Sequence, residues 1–556
     1  MTKSLPLSTL LKEVSDEPQE LRFDPEIDVV SSDSRLAREG GIFVALPGQR
    51  LDGHNFIEAA CMSGIEAVIY QKDRTLPESL LESIEIAAKE GRKFTQFTAV
   101  ENTRIALSRL AAKLYGPLSE RLDGMLFGIT GTNGKTTCSY LMESVLQAAG
   151  GLPGILGTIN YRVGEQIFPA SLTTPPPELL WQTVSRLEEA GATHLVMEVS
   201  SHALDQYRVD GLSFGVSGFT NLTQDHLDYH KDFDDYLNAK SRLFSELTSS
   251  SGRCVINIDD PASEKLIPRA NAPVWTYSRE PGKGADFQVL KAEIGIKGIT
   301  TTIQTPNGEL HIKSSLLGGF NLSNILLVCG MAMAIGISNE AIEKGIANLH
   351  AVPGRMESVI SKADFEVVVD YAHTPDALRN VLDTSRDLNE GRLIVLVGCG
   401  GDRDKEKRPQ MGEVAAKKAD IVIVTSDNPR TEDPQTIIDE ILPGVTAHME
   451  PIPVDKETSK PSELEKQDKG YWSCMDRAQA IEEAVMGARS GDLILIAGKG
   501  HEAVQIIGNV HYPFDDRVAS ARALNKREPG TVAEDLYQRK HLPAKLIHEK
   551  PREEAS

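Results

Sequence analysis

Residues 124–137 read Gly124-Met125-Leu126-Phe127-Gly128-Ile129-Thr130-Gly131-Thr132-Asn133-Gly134-Lys135-Thr136-Thr137, and a helical pattern follows over residues 139–149. An apolar run, a glycine-rich turn and a helix in this order predict a strand, a phosphate-binding loop and the helix that the loop opens. Small residues let backbone N–H groups point at phosphate oxygens, and the helix N-terminus adds positive potential. The sequence therefore predicts a nucleotide site made of Gly131, Thr132, Asn133, Gly134, Lys135, Thr136 and Thr137.

Two side chains of this loop have an expected chemistry. Lys135 can reach the β- and γ-phosphates of a nucleotide, and the Thr136 hydroxyl can bind Mg²⁺. The usual motif has a glycine where this chain has Ile129, so a glycine-rich turn that only caps a helix is the alternative. The loop by itself would suit a kinase, a GTPase or a ligase.

The pattern around this loop predicts a central domain over residues 116–352. Further apolar runs at 194–199, 216–220 and 254–258 alternate with helical patterns, which indicates a mainly parallel sheet. Residues 1–115 mix short apolar runs, such as 42–46 and 67–70, with Gly/Asp turns and predict a small α/β domain.

A third domain is predicted over residues 353–530. Its apolar runs are expected to be strands covered on both faces of a doubly wound, Rossmann-like sheet. These runs are 365–369, 392–397, 421–425 and 493–497. Residues 451–470 are polar and are expected to form an inserted surface loop, and the charged residues 531–556 are expected to be a flexible tail. The fold class is thus α/β with three domains.

Composition limits the function. The chain has 556 residues and a formal net charge of −21, which disfavours nucleic acid and anionic membranes as partners. Its six cysteines form no C-x-x-C pair, so neither a zinc knuckle nor a disulfide framework is indicated. No apolar run approaches the ~18 residues of a spanning helix, and the N-terminus does not resemble a signal peptide. We expect a cytoplasmic protein, a monomer, with small-molecule substrates.

Polar residues follow two of the predicted central strands. Glu198 ends the run at 194–199, and His226 lies in the polar stretch after the next strand. Taken singly, each is more often a helix cap or a satisfied polar residue. Because the carboxyl ends of parallel strands face the ligand crevice, the two beside a phosphate loop predict a Mg²⁺ site.

These segments resemble those of the Mur ligase family, and the resemblance extends over residues 30–525. In that family the phosphate loop has the form seen here, including the position of Ile129. The resemblance implies catalytic roles for Lys135, Glu198, His226 and Lys240. Thr136 would bind one Mg²⁺, and Glu198, His226 and Lys240, carrying a CO₂-derived carbamate, would bind a second. A carbamate turns a cationic amine into an anionic oxygen ligand; spacing alone would make Lys240 a solvated helix lysine.

Further positions match the family's contacts to its other ligands. Those expected to contact the UDP-muramoyl dipeptide are Ser32, Ser34, Gln49, Arg50, Leu51, Thr173, Thr174, Ser200, Gln206 and Arg208. The N-terminal domain would accordingly bind the UDP-sugar. Those expected on the nucleotide side are Asn257, Asn321, Arg355 and Asp370. Asn321 could equally be a helix N-cap.

Charged loops follow three strands of the third domain, and their pattern alone would also fit a solvated surface. By resemblance, the residues that contact meso-diaminopimelate are Arg403, Asp427, Asn428, Pro429, Arg430, Gly498 and Glu502. The string Asp-Asn-Pro-Arg is the version associated with that amino acid, and lysine-adding relatives usually lack this arginine.

The implied reaction uses ATP as co-substrate. ATP would phosphorylate the D-glutamate γ-carboxylate of UDP-N-acetylmuramoyl-L-alanyl-D-glutamate, and the diaminopimelate amine would then displace phosphate. A lysine-adding ligase, a folate polyglutamate ligase, a P-loop kinase or GTPase, and a non-catalytic nucleotide-binding scaffold are the alternatives. A folate ligase has no use for the UDP-type segment, a kinase none for the third domain, and a scaffold would not need the retained Lys135 and Glu198.

Overall fold

The computed structural model describes residues 4–14, 21, 23–48, 51–89, 95–116, 122, 124–170, 172–223, 225–226, 229–454, 461 and 464–533. Three larger sheets organise these residues, and each has its own buried apolar core. No helix in the described ranges is long and apolar enough to cross a bilayer. The predicted α/β class with three sheet-containing parts is confirmed.

The N-terminal part is a small parallel sheet. Its elements are β1 (Leu5–Pro6), α1 (Leu7–Leu11), β2 (Glu26–Ile27), β3 (Val29–Ser31), β4 (Gly41–Val44), α2 (Ile57–Met62), β5 (Ala67–Gln71), α3 (Glu78–Lys89), β6 (Gln96–Val100) and α4 (Thr103–Tyr115). Strands β3, β4, β5 and β6 lie side by side in chain order, all parallel. The predicted apolar runs form β4 and β5.

The central part contains an eleven-stranded sheet. Its strands are β7 (Leu126–Thr130), β8 (Pro153–Leu156), β9 (Asn160–Val163), β10 (Gln166–Pro169), β11 (His194–Glu198), β12 (Phe214–Phe219), β13 (Thr248–Asn257), β14 (Val274–Ser278), β15 (Phe287–Gly295), β16 (Gly298–Thr305) and β17 (Gly308–Ser314). Its helices are α5 (Lys135–Ala148), α6 (Pro177–Glu189), α7 (Ser201–Asp205), α8 (Phe233–Arg242), α9 (Ser263–Leu266), α10 (Gly319–Ala334) and α11 (Asn339–Asn348).

The three predicted central strands are β11, β12 and β13, and strand order places β7 between β11 and β12. The middle of the sheet is parallel, as expected, but both edges are antiparallel hairpins. Buried and exposed positions alternate along β16 and β17, which is typical of an antiparallel strand with one solvated face. The sheet therefore brings the carboxyl ends of β7, β11 and β12 together.

The C-terminal part contains a six-stranded sheet, parallel except for its first strand. Its strands are β18 (Glu357–Ser358), β19 (Glu366–Asp370), β20 (Leu393–Val397), β21 (Ile421–Thr425), β22 (Gly470–Cys474) and β23 (Leu493–Ala497); β24 (Val504–Ile507) and β25 (Val510–Pro513) form a hairpin. Its helices are α12 (Pro375–Asp387), α13 (Lys407–Lys418), α14 (Pro434–Thr446), α15 (Arg477–Met486) and α16 (Asp516–Arg527).

The four predicted strands of this part are β19, β20, β21 and β23, and their apolar residues are buried on both faces. The described residues of 451–470 differ from a purely solvated loop, because Ile452 and Leu464 are buried in the same core. Val532 is also buried there, so packing continues past residue 530.

Candidate functional site

The phosphate loop is held by its neighbours. Gly131 and Gly134 have positive φ angles of 146° and 91°. A Cβ at Gly131 would collide with the Thr220 hydroxyl, and one at Gly134 with the side-chain oxygen of Asn324. Both positions therefore require glycine. The Thr132 N–H donates to the Asn221 carbonyl at 2.8 Å and fixes the loop against β12.

Two lysine amines meet at one carbonyl of this loop. Lys135 Nζ donates to the carbonyls of Gly131 (2.7 Å) and Thr132 (2.8 Å), and Lys240 Nζ donates to Gly131 at 2.9 Å. Lys240 is 1% exposed and lies over the Tyr236 ring at 4.4 Å. Burial, and then the charge of Lys135, hold the pKa of Lys240 well below its ordinary value. Lys240 is therefore not the solvated helix lysine that spacing alone would predict.

Glu198 is the buried carboxylate beside the loop. Thr136 Oγ1 donates to it at 2.8 Å, and Thr158 donates from its backbone N–H (3.0 Å) and its hydroxyl (2.9 Å). Ser139 Oγ lies 3.4 Å from the other carboxylate oxygen. Neutral donors on both oxygens orient the carboxylate, which is 1% exposed. Thr136 and Glu198 are thus joined by a hydrogen bond beside the loop.

His226 belongs to a group of rings. It has a positive φ of 56°, its side chain is 42% exposed, and its Nε2 lies 3.4 Å from Asp225. Its ring centroid is 4.8 Å from that of His202 and 6.2 Å from that of Tyr236. Tyr236 also lies under Lys240, so His226 and Lys240 flank the same aromatic side chain.

The residues of the central part that are predicted to contact the UDP-muramoyl dipeptide lie close to Glu198. The Thr174 hydroxyl donates to the Glu198 carbonyl at 2.7 Å and accepts from the Ser200 N–H at 3.0 Å. Arg208 donates to the Thr174 carbonyl at 2.9 Å and to the Gln206 side chain at 2.7 Å. Thr173 approaches the Thr158 hydroxyl at 3.1 Å. These five predicted residues form one continuous polar surface.

The N-terminal residues predicted to contact the UDP-muramoyl dipeptide do not form one hydrogen-bonded group. Ser32 Oγ donates to Glu178 of α6 at 2.8 Å, which joins the N-terminal sheet to the central part. Ser34 begins a short turn, with Asp33 as its cap, and Leu51 is 74% exposed. Gln49 and Arg50 lie outside the described residues.

The nucleotide-side candidates fall into two groups. Asn257 donates to the Thr220 carbonyl at 2.8 Å, and Asn321 donates to Leu317 at 2.7 Å and accepts from Asn324 at 2.8 Å. Gly318, not Asn321, is the N-cap of α10, so the N-cap alternative for Asn321 is wrong. Both asparagines thereby support the residues that hold the phosphate loop.

Arg355 and Asp370 meet where the chain enters the C-terminal part. The Arg355 guanidinium lies 4.6 Å from the Tyr371 ring centroid, and its Nη2 lies 3.5 Å from the Thr136 hydroxyl. Asp370 accepts the N–H groups of Met356 and Ala372, each at 2.7 Å. Burial raises the pKa of Asp370, and the Arg355 charge opposes that rise. Arg355 thus links the C-terminal part to the first turn of α5 in the central part.

The residues predicted to contact diaminopimelate lie in loops that follow β20, β21 and β23, here called the acceptor loops. Asn428 donates to Glu502 at 2.8 Å, and Arg430 donates to the Gly401 carbonyl at 2.8 Å from a backbone with a φ of 51°. Gly498 has a φ of 114°, and a Cβ there would lie 2.9 Å from Asp427 Oδ2. Pro429 packs its carbonyl against Gly401. Arg403 is exposed, and its guanidinium donates to the Asp402 carbonyl at 3.3 Å.

Three residues of this site were not predicted from the sequence. Thr158 bonds Glu198 from a turn after β8, Tyr236 lies between Lys240 and His226, and Lys499 is buried beside Asn428. A threonine in a turn and a tyrosine in a helix carry no sequence signal for such roles. Lys499 had one, because it lies between two glycines in a loop that follows a strand.

Family models match this chain over most of its length. A model described as "Mur ligase family, catalytic domain" matches residues 26–115, "Mur ligase middle domain" matches 129–332, and "Mur ligase, glutamate ligase domain" matches 354–500. The chain belongs to the Mur ligase family, whose members are ligases.

Relatives within the family share one name, UDP-N-acetylmuramoyl-L-alanyl-D-glutamate–2,6-diaminopimelate ligase. The protein of that name from Geobacter metallireducens is 43% identical over 509 residues, covering 90% of this chain and 94% of the relative. That from Bacillus velezensis is 39% identical over 530 residues, covering 94% and 100%. A solved structure of a protein with this name is 29% identical, with a TM-score of 0.63 over 94% of this chain and 99% of that one.

Proposed function

We propose that this chain is an ATP-dependent ligase that joins 2,6-diaminopimelate, in its meso form, to UDP-N-acetylmuramoyl-L-alanyl-D-glutamate. The observation that carries the proposal is the identity of 38–43% to relatives of that name, over 90–94% of the chain. The site supports it, because a phosphate loop, a polar surface behind Glu198 and an acceptor loop cluster are all present. The product would be a precursor of peptidoglycan.

The proposed reaction has two steps. The D-glutamate γ-carboxylate attacks the γ-phosphorus of ATP, which gives an acyl phosphate and ADP. The amine of diaminopimelate then attacks the acyl carbon, forms the amide, loses a proton and expels phosphate. Lys135, released from the Gly131 and Thr132 carbonyls, would bond the transferring phosphoryl group, and the Arg355 guanidinium lies 3.5 Å from the Thr136 hydroxyl of the same loop.

A divalent cation fits the residues at this loop. The Glu198 carboxylate is buried with neutral donors around it, and the Thr136 hydroxyl is already 2.8 Å away. These are the oxygen ligands that Mg²⁺ prefers, and the bound ion would offset charge on the phosphates. By the family resemblance, Thr136 would bind one ion, and Glu198, His226 and Lys240 would bind a second, for which Lys240 must first become anionic.

Carbamate formation at Lys240 suits its surroundings. A neutral amine adds CO₂ and releases a proton, so the reaction needs an amine with a lowered pKa. Burial and the neighbouring Lys135 lower the pKa of Lys240. The resulting anion would lie beside Lys135 and relieve the repulsion between two buried amines that share the Gly131 carbonyl.

The acceptor loops fit a zwitterion with a second carboxylate. Asp427 and Glu502 supply negative charge for an ammonium, and Arg430 supplies a planar cationic fork for a carboxylate. Lysine lacks that distal carboxylate, so the arginine would lose its partner. This favours diaminopimelate over lysine as the amino acid.

The experiment is a phosphate-release assay on the full chain with ATP, Mg²⁺ and UDP-N-acetylmuramoyl-L-alanyl-D-glutamate, plus or minus the amino acid. We expect turnover only when all components are present, and a UDP-tripeptide product by mass spectrometry. ATP hydrolysis by the protein alone would contradict a ligase. Equal use of lysine would instead support the lysine-adding alternative.

A further inference from the structure

A buried lysine lies at the centre of the acceptor loops. Lys499, in the turn after β23, is 0% exposed. Its Nζ donates to Asn428 Oδ1 at 3.0 Å, to Glu502 Oε2 at 3.2 Å and to the Val504 carbonyl at 2.6 Å. An ammonium group has three protons, and these three acceptors use all of them.

The partners of Lys499 are also bonded to each other. Asn428 Nδ2 donates to the same Glu502 oxygen at 2.8 Å, so amine, amide and carboxylate form a closed triangle. The Ile506 N–H donates to Asn428 Oδ1 at 3.0 Å and fixes the amide from the β24 side. Asn428 and Glu502 follow different strands, and Lys499 adds a second link between them beside their direct hydrogen bond.

The backbone of this turn forces the lysine inward. Gly498 and Gly500 on either side have φ angles of 114° and 52°. A Cβ at Gly500 would lie 2.7 Å from the Tyr371 Cβ, which fixes the loop against the segment after β19. The side chain of Lys499 therefore cannot turn to solvent without moving the loop.

The local charge leaves room for one cation. Asp427 Oδ1 lies 3.7 Å from Lys499 Nζ and, among the described residues, is buried without a hydrogen-bond partner. With Asp427 and Glu502 ionised and Lys499 protonated, the group carries one net negative charge. A buried carboxylate oxygen that accepts no hydrogen bond is costly, and a ligand ammonium would donate one.

We propose that Lys499 is a positioning residue for the amino-acid substrate. Lys499 holds the side chains of Asn428 and Glu502 in place and leaves Asp427 to bind the substrate ammonium. This inference rests on the proposed function, because it assigns a role within that acceptor site. Lys499 does not touch the substrate, since its amine is fully bonded and buried.

The test compares the full chain with its Lys499→Met and Glu502→Gln variants and with the double variant. Lys499→Met keeps an unbranched apolar chain one heavy atom shorter than lysine and removes the amine with its three bonds. We expect the KM for diaminopimelate to rise roughly 10- to 100-fold, the loss expected for hydrogen bonds to a charged group. The KM values for ATP and the UDP-dipeptide should stay within about 2-fold, since those ligands contact other elements.

Coupling between the two variants separates positioning from simple destabilisation. If Lys499 acts through Glu502, the double variant should be hardly worse than the worse single variant. Arg392→Met is the matched control, because Arg392 is also a buried cation of this part but bonds Asp492 and Gly487 at the opposite end of the sheet. It should lower Tm and leave the KM for diaminopimelate unchanged.

Two results would overturn the inference: a folded Lys499→Met variant with the wild-type KM, or strictly additive effects in the double variant. If Lys499→Met does not fold, a structure of the wild-type chain with diaminopimelate bound decides. Lys499 Nζ must keep its bonds to Asn428 and Glu502 there, and a direct bond to the ligand would overturn the role. Failure of the proposed function would appear in the wild-type chain itself, as no turnover with diaminopimelate.

Discussion

Arg430 is the residue whose replacement most directly tests the choice of amino acid. Its backbone is held on both sides, because its N–H donates to Ile506 at 3.0 Å and its carbonyl accepts from Gly508 at 2.7 Å. Its side chain donates to the Gly401 carbonyl at 2.8 Å. The guanidinium is therefore aimed by the chain before any ligand binds.

The expected size of the Arg430→Ala effect follows from these contacts. Alanine keeps the backbone bonds and loses one neutral acceptor contact, so stability should fall by about 1 kcal/mol and the fold should persist. A carboxylate gripped by two charge-assisted bonds loses about 3–4 kcal/mol. That corresponds to a rise in KM for diaminopimelate of about 10²- to 10³-fold.

Initial rates of phosphate release against diaminopimelate concentration measure this effect. Arg430→Lys keeps the charge without the planar fork and should lie between wild type and alanine. Arg379→Ala is the matched control, because Arg379 is an exposed arginine of the same part that pairs with Asp376 on its own helix. Equal kcat/KM for wild type and Arg430→Ala would refute the role of Arg430 and remove the main structural ground for naming the amino acid.

Three further predictions concern the phosphate loop, the carbamate and acid stability. Lys135→Ala should lower turnover at least 10-fold while Tm stays within a few degrees, and a folded variant with near wild-type turnover would exclude a phosphate contact. Lys240→Ala should be nearly inactive, and carbon-13 bicarbonate should give a carbamate NMR signal in wild type that this variant lacks. Bonding to Arg408 lowers the pKa of Glu432 from 4.5 to about 2, so its stabilising contribution is complete above pH 4.5 and is lost as pH falls towards 2. The Tm of Glu432→Gln should therefore fall less steeply than that of wild type over this range; parallel curves would contradict the ion pair's role.

The central parallel strands were predictable because each is a short apolar run buried on both faces. The runs at 194–199, 421–425 and 493–497 had no competing interpretation as helices, since each is short and flanked by glycine or polar residues. The antiparallel edges of the central sheet were not predicted. Strand order depends on which distant runs pair, and alternation in β16 and β17 indicates a solvated face without naming a partner.

Candidate site residues were marked in different ways. Glu198 ends a strand, and parallel strands end at one edge of a sheet, whereas Asp427, Gly498 and Lys240 were marked by the family resemblance. Thr158 could not be predicted, since its contact with Glu198 joins residues 40 positions apart, and Tyr236 could not, since a tyrosine in a helix does not indicate which side chains it contacts. Asn257 and Asn321 show the converse limit: the sequence marks both positions, while their observed bonds are to carbonyls and side chains of the supporting frame.

The segment around Arg355 explains how sites on two sheets can respond to each other. A Cβ at Gly354 would collide with the backbone of Gly500 and His501, so this segment lies directly on the acceptor loop. Glu357 accepts from the Gly354 N–H at 2.7 Å and from Arg517 at 3.2 Å, which anchors the segment to the C-terminal part. Arg355 nevertheless reaches Thr136 of the phosphate loop. A shift of the Gly500–His501 loop would therefore move the Arg355 guanidinium beside Thr136, because the neighbouring Gly354 packs directly on that loop.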